Sequence, residues 1–196
     1  EDSSSLSPPN SLRCDRYGPP FERGLLEGDT LSELSGLSIS FLHSHLLWAH
    51  NDAGNTSAVY ALDELGKLKA TVNLTPDLID FEDIDASLCP TITSIGFLDD
   101  RLSSRLMMDM RAEALWGAQG LERGCIWVAD VGDNDQRRED VSLYLYQEPT
   151  LDDIERGPPE TPATLNMTPL LKLKLTYPHG PIDAEGLFVE RSGRRA

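Results

Sequence analysis

At 196 residues, the chain has room for one ordinary domain and can bury a substantial core. Hydrophobic residues make up 39% of it and charged residues 26%, which is typical of a globular protein. Its 33 acidic and 17 basic residues give a formal net charge of -16, which argues against nucleic acid and membranes as partners because both are anionic. The same carboxylates can attract Ca²⁺ or a cationic ligand, or they can form a solvated acidic surface.

The first 30 residues are rich in Ser, Pro and Gly and predict an extended lead-in over 1–30. From Leu31 onward, short apolar runs alternate with turn residues, which is typical of strands joined by tight turns. The first runs predict strands at 34–40, 46–49, 59–62 and 67–74.

The same order of runs and turns returns after Pro76. Runs at 81–86, 126–129, 141–146 and 170–177 match the first set in turn, and residues 183–189 match the first strand once more. A four-stranded unit that recurs every roughly 40–50 residues predicts a β-propeller. We therefore expect an all-β, incomplete β-propeller over 31–196, with blade 1 at about 31–76, blade 2 at about 80–178 and the start of blade 3 at about 183–196.

Two insertions are expected within blade 2. Leu102, Leu106, Met110 and Ala114 have the spacing of a short amphipathic helix within 90–122, and the Pro-, Glu- and Thr-rich residues 148–169 predict a long surface loop. Two blades and one strand do not close a ring, because propellers need about 4–8 blades. We therefore expect the chain to be a fragment or a truncated product.

Acidic and amide side chains recur at equivalent places of the predicted blades. The first strands line the channel of a propeller, so the residues that open them converge in space. These residues are Glu33, Glu82 or Asp83, and Asp183 or Glu185, while Asn51, Asp52, Asp133 and Asn134 lie in turns after second strands. Their oxygen atoms are the ligands that Ca²⁺ prefers, so all of them are candidate calcium ligands or channel residues.

An alternative explanation applies to the turns. Asp and Asn recur in turns because they tolerate left-handed backbone and hydrogen-bond to their own chain. This accounts for Asn51-Asp52 and Asp133-Asn134 as well as metal binding does. It does not apply to the glutamates that open strands, where a functional role is favoured.

Three residues are candidates for catalysis: His50, His179 and Asp133. The two histidines lie beside the acidic motifs, where either could act as a general base near neutral pH. An ordinary turn histidine is the simpler interpretation of each. The chain contains no P-loop, no G-x-G-x-x-G and no G-x-S-x-G, so nucleotide binding and a serine nucleophile elbow are not supported.

The three cysteines, Cys14, Cys89 and Cys125, contain no C-x-x-C pair and do not predict a zinc site. A Cys89–Cys125 disulfide and free buried thiols are both compatible with the sequence. N-x-S/T sequons at Asn55, Asn73 and Asn166 point only weakly to secretion, and the location is otherwise open.

In order along residues 31–190, a set of motifs resembles an uncharacterised β-propeller family found widely in bacteria. The family carries E-L-S-G-L, H-N-D-S-G, W-E-D-I, G-D-I-G-D-N with a following Arg, E-P, and Y-x-D-G-x-x-D-A-E-A-L. They correspond here to 33–37, 50–54, 81–84, 129–134 with Arg137 or Arg138, 148–149 and 177–187. The departures are Phe81 for Trp, Ala53 for Ser, His179 for Asp and Gly186 for Ala.

That family has no assigned activity, but the arrangement is distantly similar to calcium-dependent six-bladed propeller hydrolases of the lactonase and phosphotriesterase type. The similarity implies a Glu and several Asn or Asp residues around Ca²⁺ in the channel, with a carboxylate or His to activate water. It predicts a calcium-binding propeller that hydrolyses small esters or lactones. The alternative is a non-enzymatic propeller that binds a protein or a glycan and whose acidic turns are structural.

Overall fold

The computed structural model describes residues 18–26, 29–52, 54, 56–90, 108–110, 123–156, 158 and 160–189. Most regular structure in these residues is strand, so the prediction of an all-β fold is confirmed. The strands are β1 (Leu34–Ile39), β2 (Leu46–Asn51), β3 (Ala58–Asp63), β4 (Leu68–Leu74), β5 (Phe81–Leu88), β6 (Met108–Met110), β7 (Gly124–Asp130), β8 (Val141–Gln147), β9 (Ala163–Met167) and β10 (Leu171–Leu175). The same residues include a 3-10 helix (Asp29–Leu31) and a short α-helix, α1 (Leu151–Ile154).

The first sheet is an antiparallel meander of β1, β2, β3 and β4, to which β9 adds parallel to β4. The β3–β4 turn shows how the sequence sets this order. Gly66 has a φ of 86°, which a glycine adopts without strain. The Asp63 carboxylate accepts hydrogen bonds from the backbone N–H groups of Leu65 and Lys67, at 3.0 and 2.9 Å.

The second sheet is an antiparallel meander of β5, β7, β8 and β10, and β6 pairs with the outer edge of β10. A disulfide between Cys89 and Cys125 joins the chain just after β5 to the start of β7. Of the two states that the sequence allowed for this pair, the structure has the disulfide. Cys14 lies outside the described residues.

The main apolar core lies between the two sheets. Its buried side chains come from both of them, and they include Trp48, Val59 and Val72 of the first sheet with Ile84, Ile126 and Tyr146 of the second. A second cluster, formed by Cys125, Leu145, Leu171 and Leu173, covers the opposite face of β8, because neighbouring residues of a strand point to opposite faces. The central strands are therefore apolar on both faces, which explains their nearly continuous apolar runs.

Glu148, directly after β8, ties the two sheets together. Its side chain is buried and accepts hydrogen bonds from Trp48 Nε1 (2.7 Å), Leu42 N (3.1 Å) and Ser40 Oγ. Gly124 leaves room for it, since a Cβ there would lie 2.0 Å from Glu148 Oε2. A buried carboxylate is stable only with such donors, so this glutamate is a structural cross-link.

The helix predicted from Leu102 to Ala114 is wrong where the structure describes it. Met108–Met110 forms strand β6 and pairs with β10. The strand supplies hydrogen-bond partners for the backbone at the edge of the second sheet. This pairing is a tertiary contact, which the local spacing of apolar residues does not reveal. The rest of that predicted helix lies outside the described residues.

The predicted loop at 148–169 is also wrong in part, because it contains α1 and β9. Thr150 and Asp153 form a capping box at the start of α1, in which each side chain accepts from the other's backbone N–H. β9 then pairs in parallel with β4, from Ala163 opposite Ala70 to Met167 opposite Leu74. The polar composition concealed this strand because alternate residues of β9 are exposed.

Residues 183–189, predicted as the first strand of a third unit, adopt no regular secondary structure. Side chains of β5 hold them instead. Asp83 Oδ2 accepts from Leu187 N (2.8 Å) and Asp85 Oδ2 accepts from Val189 N (3.0 Å). Carboxylates thus take the place that backbone carbonyls have in a ladder.

Within the predicted lead-in, residues 18–26 are exposed and have no regular secondary structure, and Asp29–Leu31 forms the 3-10 helix. Residues 1–17, 27 and 28 lie outside the described residues. Within the described parts of the chain, no helix is long and apolar enough to span a membrane.

Candidate functional site

A cluster of carboxyl groups surrounds Glu82 at the start of β5. The register between β5 and β7 shifts between Phe81 and Asp83, so Glu82 is the extra residue of a β-bulge. A bulge redirects the side chain that it carries. The Glu82 side chain consequently points toward Gly132 in the loop after β7, where a Cβ would lie 2.1 Å from Glu82 Oε1.

Glu82 is only 6% exposed. The same Cβ on Gly132 would lie 2.5 Å from Cγ of Asp80, so glycine leaves the space that the two carboxyl groups occupy. Burial, followed by the like charges of Glu185, Asp80 and Asp52 and a hydrogen bond with Asp80, raises the pKa of Glu82 to about 8. At neutral pH this residue therefore holds a proton unless a cation replaces it.

Three carboxyl groups of this cluster, those of Glu82, Asp80 and Glu185, form no ion pair with another described residue. A buried carboxyl group among like charges is stabilised by a proton or by a cation, so an external cation would stabilise the ionised form of Glu82.

His50, at the end of β2, is fully buried and stacks on Phe81 with the ring centroids 3.9 Å apart. Its Nδ1 donates a hydrogen bond to the carbonyl oxygen of Asn51 at 2.7 Å. Burial lowers the pKa of His50 more than the carbonyl of Asn51, the carboxylates of Asp83 and Asp52, and the backbone of Glu82 raise it, so the ring is neutral. A neutral ring that donates through Nδ1 has a lone pair on Nε2, and this buried atom has no hydrogen-bond partner among the described residues.

Asp133 organises its own loop. Its two carboxylate oxygens accept hydrogen bonds from the backbone N–H groups of Arg137 and Arg138, both at 2.8 Å. Asp130, 2% exposed, accepts from Arg138 Nη1 (2.9 Å) and from the backbone N of Asp80 (3.0 Å). Both aspartates thus have the structural role expected in a turn, and Asp133 is not part of the carboxyl cluster.

Three other predicted residues also bind backbone groups. Asn51 accepts from Glu33 N (3.4 Å) and donates to Thr30 O (2.7 Å), which pins the lead-in to β2. Asp183 accepts from Asp133 N (2.6 Å), and Asp83 accepts from Ile84 N and Leu187 N, both at 2.8 Å. The remaining predicted residues are exposed: Glu33, Asp52, Asn134, His179 and Glu185.

Of the predicted calcium ligands, the structure brings Asp52, Glu82 and Glu185 close enough to interact electrostatically, together with Asp80. The described residues contain no group of three or more His, Cys, Asp or Glu side chains positioned as a formed metal site. The charge of this cluster fits a cation, whereas its spacing is not that of a complete coordination shell.

Sequence reasoning did not single out Asp80 or Asp85. Asp80 lies one residue before the F-E-D-I motif and Asp85 one residue after it, so the only available signal was the density of acidic residues along 80–85. Glu148 was noted only as part of a motif, and nothing local marks it as a buried cross-link.

Comparisons of the chain with protein-family models, with curated proteins and with solved structures found no match.

Proposed function

We propose that the chain is part of a β-propeller. Two features support this: each sheet contains a four-stranded antiparallel meander, and the first strands of the two meanders, β1 and β5, lie side by side. Ser38 of β1 links them, since its Oγ accepts from Ala86 N (2.9 Å) and donates to Asp85 Oδ1 (3.2 Å). Blades around a channel bring their first strands together in this way. The described residues form two sheets and not a closed ring.

We also propose that the carboxyl cluster around Glu82 binds Ca²⁺. The observation that carries this proposal is the burial of Glu82 among Asp80, Asp52 and Glu185, in a space kept open by Gly132. Ca²⁺ takes six to eight oxygen ligands, and carboxylates are its usual charged ones. These four side chains would hold the ion, and its positive charge would offset the repulsion between the carboxyl groups.

Thermal melting with and without calcium tests this proposal. Ca²⁺ that binds only the folded protein should raise Tm, by an amount equivalent to about 2.7 kcal/mol at a hundredfold excess over Kd, and EDTA should reverse the rise. In Glu82→Gln, the calcium effect should disappear while the calcium-free protein gains stability, because a buried carboxyl group among like charges has been removed. Glu155→Gln, an exposed change at the end of α1, is the matched control and should respond as the wild type does.

Two results would contradict the calcium proposal. One is a wild-type Tm that Ca²⁺ and EDTA leave unchanged. The other is a calcium response of equal size in Glu82→Gln and the wild type, which would place the ion elsewhere.

Hydrolysis of small esters or lactones stays a prediction from the resemblance, as does the alternative of a non-enzymatic module for a protein or a glycan. Assays of a panel of esters and lactones, with and without Ca²⁺, separate the two, since only a hydrolase would turn over these substrates.

The disulfide supports a location in an oxidising compartment, in line with the sequons, and we propose that the protein folds there.

A further inference from the structure

The loop after β7, residues 130–138, is bonded to the chain at Asp80. Asp130 Oδ1 accepts hydrogen bonds from the backbone N–H groups of Ile79 (3.3 Å) and Asp80 (3.0 Å). In the other direction, the N–H group of Gly132 donates to the carbonyl oxygen of Asp80 at 3.3 Å. These bonds fix the backbone at Asp80 against the loop.

The same loop borders two other members of the carboxyl cluster. Gly132 faces Glu82, whose Oε1 would lie 2.1 Å from a Cβ at that glycine. The N–H group of Asp133 donates to Asp183 Oδ1 at 2.6 Å, two residues before Glu185. Two segments of the chain that are far apart in sequence therefore meet at this loop.

Arg138 closes the loop. Its Nη1 donates to both Asp130 Oδ1 (2.9 Å) and the carbonyl oxygen of Gly132 (2.8 Å). The Asp133 carboxylate accepts from the backbone N–H of Arg138 at 2.8 Å, which turns the chain back toward Gly132. The side chains of Arg138 and Asp130 are 13% and 3% exposed, so little water competes for this charged hydrogen bond. One nitrogen thus links the residue that bonds to Asp80 with the residue that faces Glu82.

We infer that Arg138 is a positioning residue of the calcium site, an inference that rests on the proposed calcium function. By joining Asp130 to Gly132, its guanidinium holds two of the proposed ligands, Asp80 and Glu82, where both can bind one ion. Arg138 is not itself a ligand, because a guanidinium is a cation without an acceptor atom. Groups that orient metal ligands in this way typically change metal affinity by about 10–100-fold.

The charge of Arg138 gives this role a sign that an experiment can read. A cation beside the site repels Ca²⁺, so on charge alone the loss of Arg138 would raise calcium affinity. Loss of the link between Asp130 and Gly132 lowers the affinity instead, because the two ligands are no longer held together. A fall in affinity therefore reports position and not charge.

A terbium titration of the full chain, followed by luminescence, tests the inference. Tb³⁺ is the probe, and the signal that Glu82→Gln removes is the one measured. Arg138→Met should lower the Tb³⁺ affinity by about tenfold or more. Luminescence lifetimes in H₂O and D₂O count the water molecules on the ion, and this variant should hold about one more than the wild type, because water replaces a displaced carboxylate. A change in stability alone would leave that number unchanged.

Three further variants separate position from charge and from folding. Arg138→Lys keeps a cation whose single nitrogen can donate to both acceptors, so it should bind Tb³⁺ more tightly than Arg138→Met does. The double variant Asp130→Asn/Arg138→Met leaves no buried charge unpaired, and the amide oxygen at position 130 can still accept from Asp80 N. It should fold and still bind weakly, because the link to Gly132 is missing. Arg137→Met is the matched control and should not lower the affinity, since that side chain is 80% exposed and pairs with the exposed Asp135.

The outcomes distinguish the inference from the calcium proposal on which it rests. Wild-type protein that binds Tb³⁺ at Glu82, with an equal or higher affinity in Arg138→Met and in the double variant, would overturn the inference alone. An equal loss in Arg137→Met and Arg138→Met would also overturn it. If Arg138→Met does not fold, the double variant and Arg138→Lys decide. A wild type without a signal that depends on Glu82 would overturn both the inference and the calcium proposal.

Discussion

Two buried glutamates of this chain have opposite surroundings. Glu148 accepts hydrogen bonds from three donors, whereas Glu82 lies among Asp80, Asp52 and Glu185. A carboxylate surrounded by donors is stable as an anion, while one surrounded by carboxylates is stabilised by a proton or a cation. The first is therefore a structural group, and the second is the candidate for function.

Substitution of Glu148 should destabilise the fold strongly. Glu148→Ala leaves the buried indole N–H of Trp48 and the other two donors without their acceptor, and we expect a loss on the order of 3 kcal/mol in the free energy of unfolding. Urea denaturation measures it. Glu155→Ala, an exposed glutamate, should change stability by less than about 0.5 kcal/mol. Equal effects of the two substitutions would show that the cross-link contributes nothing.

Glu82 should make stability depend on pH in the absence of calcium. Folding raises its pKa from 4.5 to about 8, so the native state binds more protons than the unfolded state within this window. The stabilisation that comes from protonated Glu82 is complete below about pH 4.5 and is lost as the pH rises through about 8. In EDTA, Glu82→Gln should therefore exceed the wild type in stability at about pH 9, and the difference should shrink toward about pH 5. Parallel stability curves for the two proteins would contradict this.

At the scale of residues, the sequence predicted the candidate site only in part. Glu82 and Glu185 could be selected because glutamates are not typical turn residues. Asp133 could not be distinguished from a ligand, since the bonds from Arg137 N and Arg138 N that occupy its carboxylate depend on the loop geometry. Asp80 could not be predicted as part of the site, because its contact with Glu82 depends on the β-bulge.

Among the structural elements, the loop after β7 controls the site through Gly132. Because a Cβ there would overlap Oε1 of Glu82, Gly132→Ala should displace the carboxyl group and reduce calcium affinity by about tenfold or more. Gly18→Ala is the matched control, since a Cβ at Gly18 meets no atom within 4 Å. Calorimetric calcium titrations of both variants measure the effect. An unchanged calcium affinity in Gly132→Ala would show that Glu82 is not a calcium ligand.

The strands of the two meanders could be predicted because each combines an apolar run with a turn of recognisable chemistry, such as Asp63–Gly66. β6 and β9 could not, because each is an outer strand whose pairing partner lies far away in the sequence. The segment 183–189 was predicted as a strand because it matches the first strands of the two units, but Asp83 and Asp85 bind its amides in place of a ladder. The local sequence pattern does not show whether backbone N–H groups will bond to a neighbouring strand or to carboxylate side chains.

For the molecule as a whole, the Cys89–Cys125 disulfide closes a sequence separation of 36 residues within the second sheet. Replacing both cysteines by serine should lower the free energy of unfolding by roughly 4 kcal/mol in the chain-entropy account. A thiol titration of the denatured, unreduced protein should find a single free thiol, that of Cys14, whereas three free thiols would contradict the disulfide.

The central claim is that the carboxyl cluster around Glu82 holds a cation. A crystal of the 196-residue chain soaked in a lanthanide, which replaces Ca²⁺ and scatters anomalously, tests it most directly. We expect an anomalous peak within coordination distance of Glu82 and Asp80, and no such peak in crystals of Glu82→Gln. A wild-type map with no peak at this cluster, or with peaks only beside other acidic side chains, would contradict the claim.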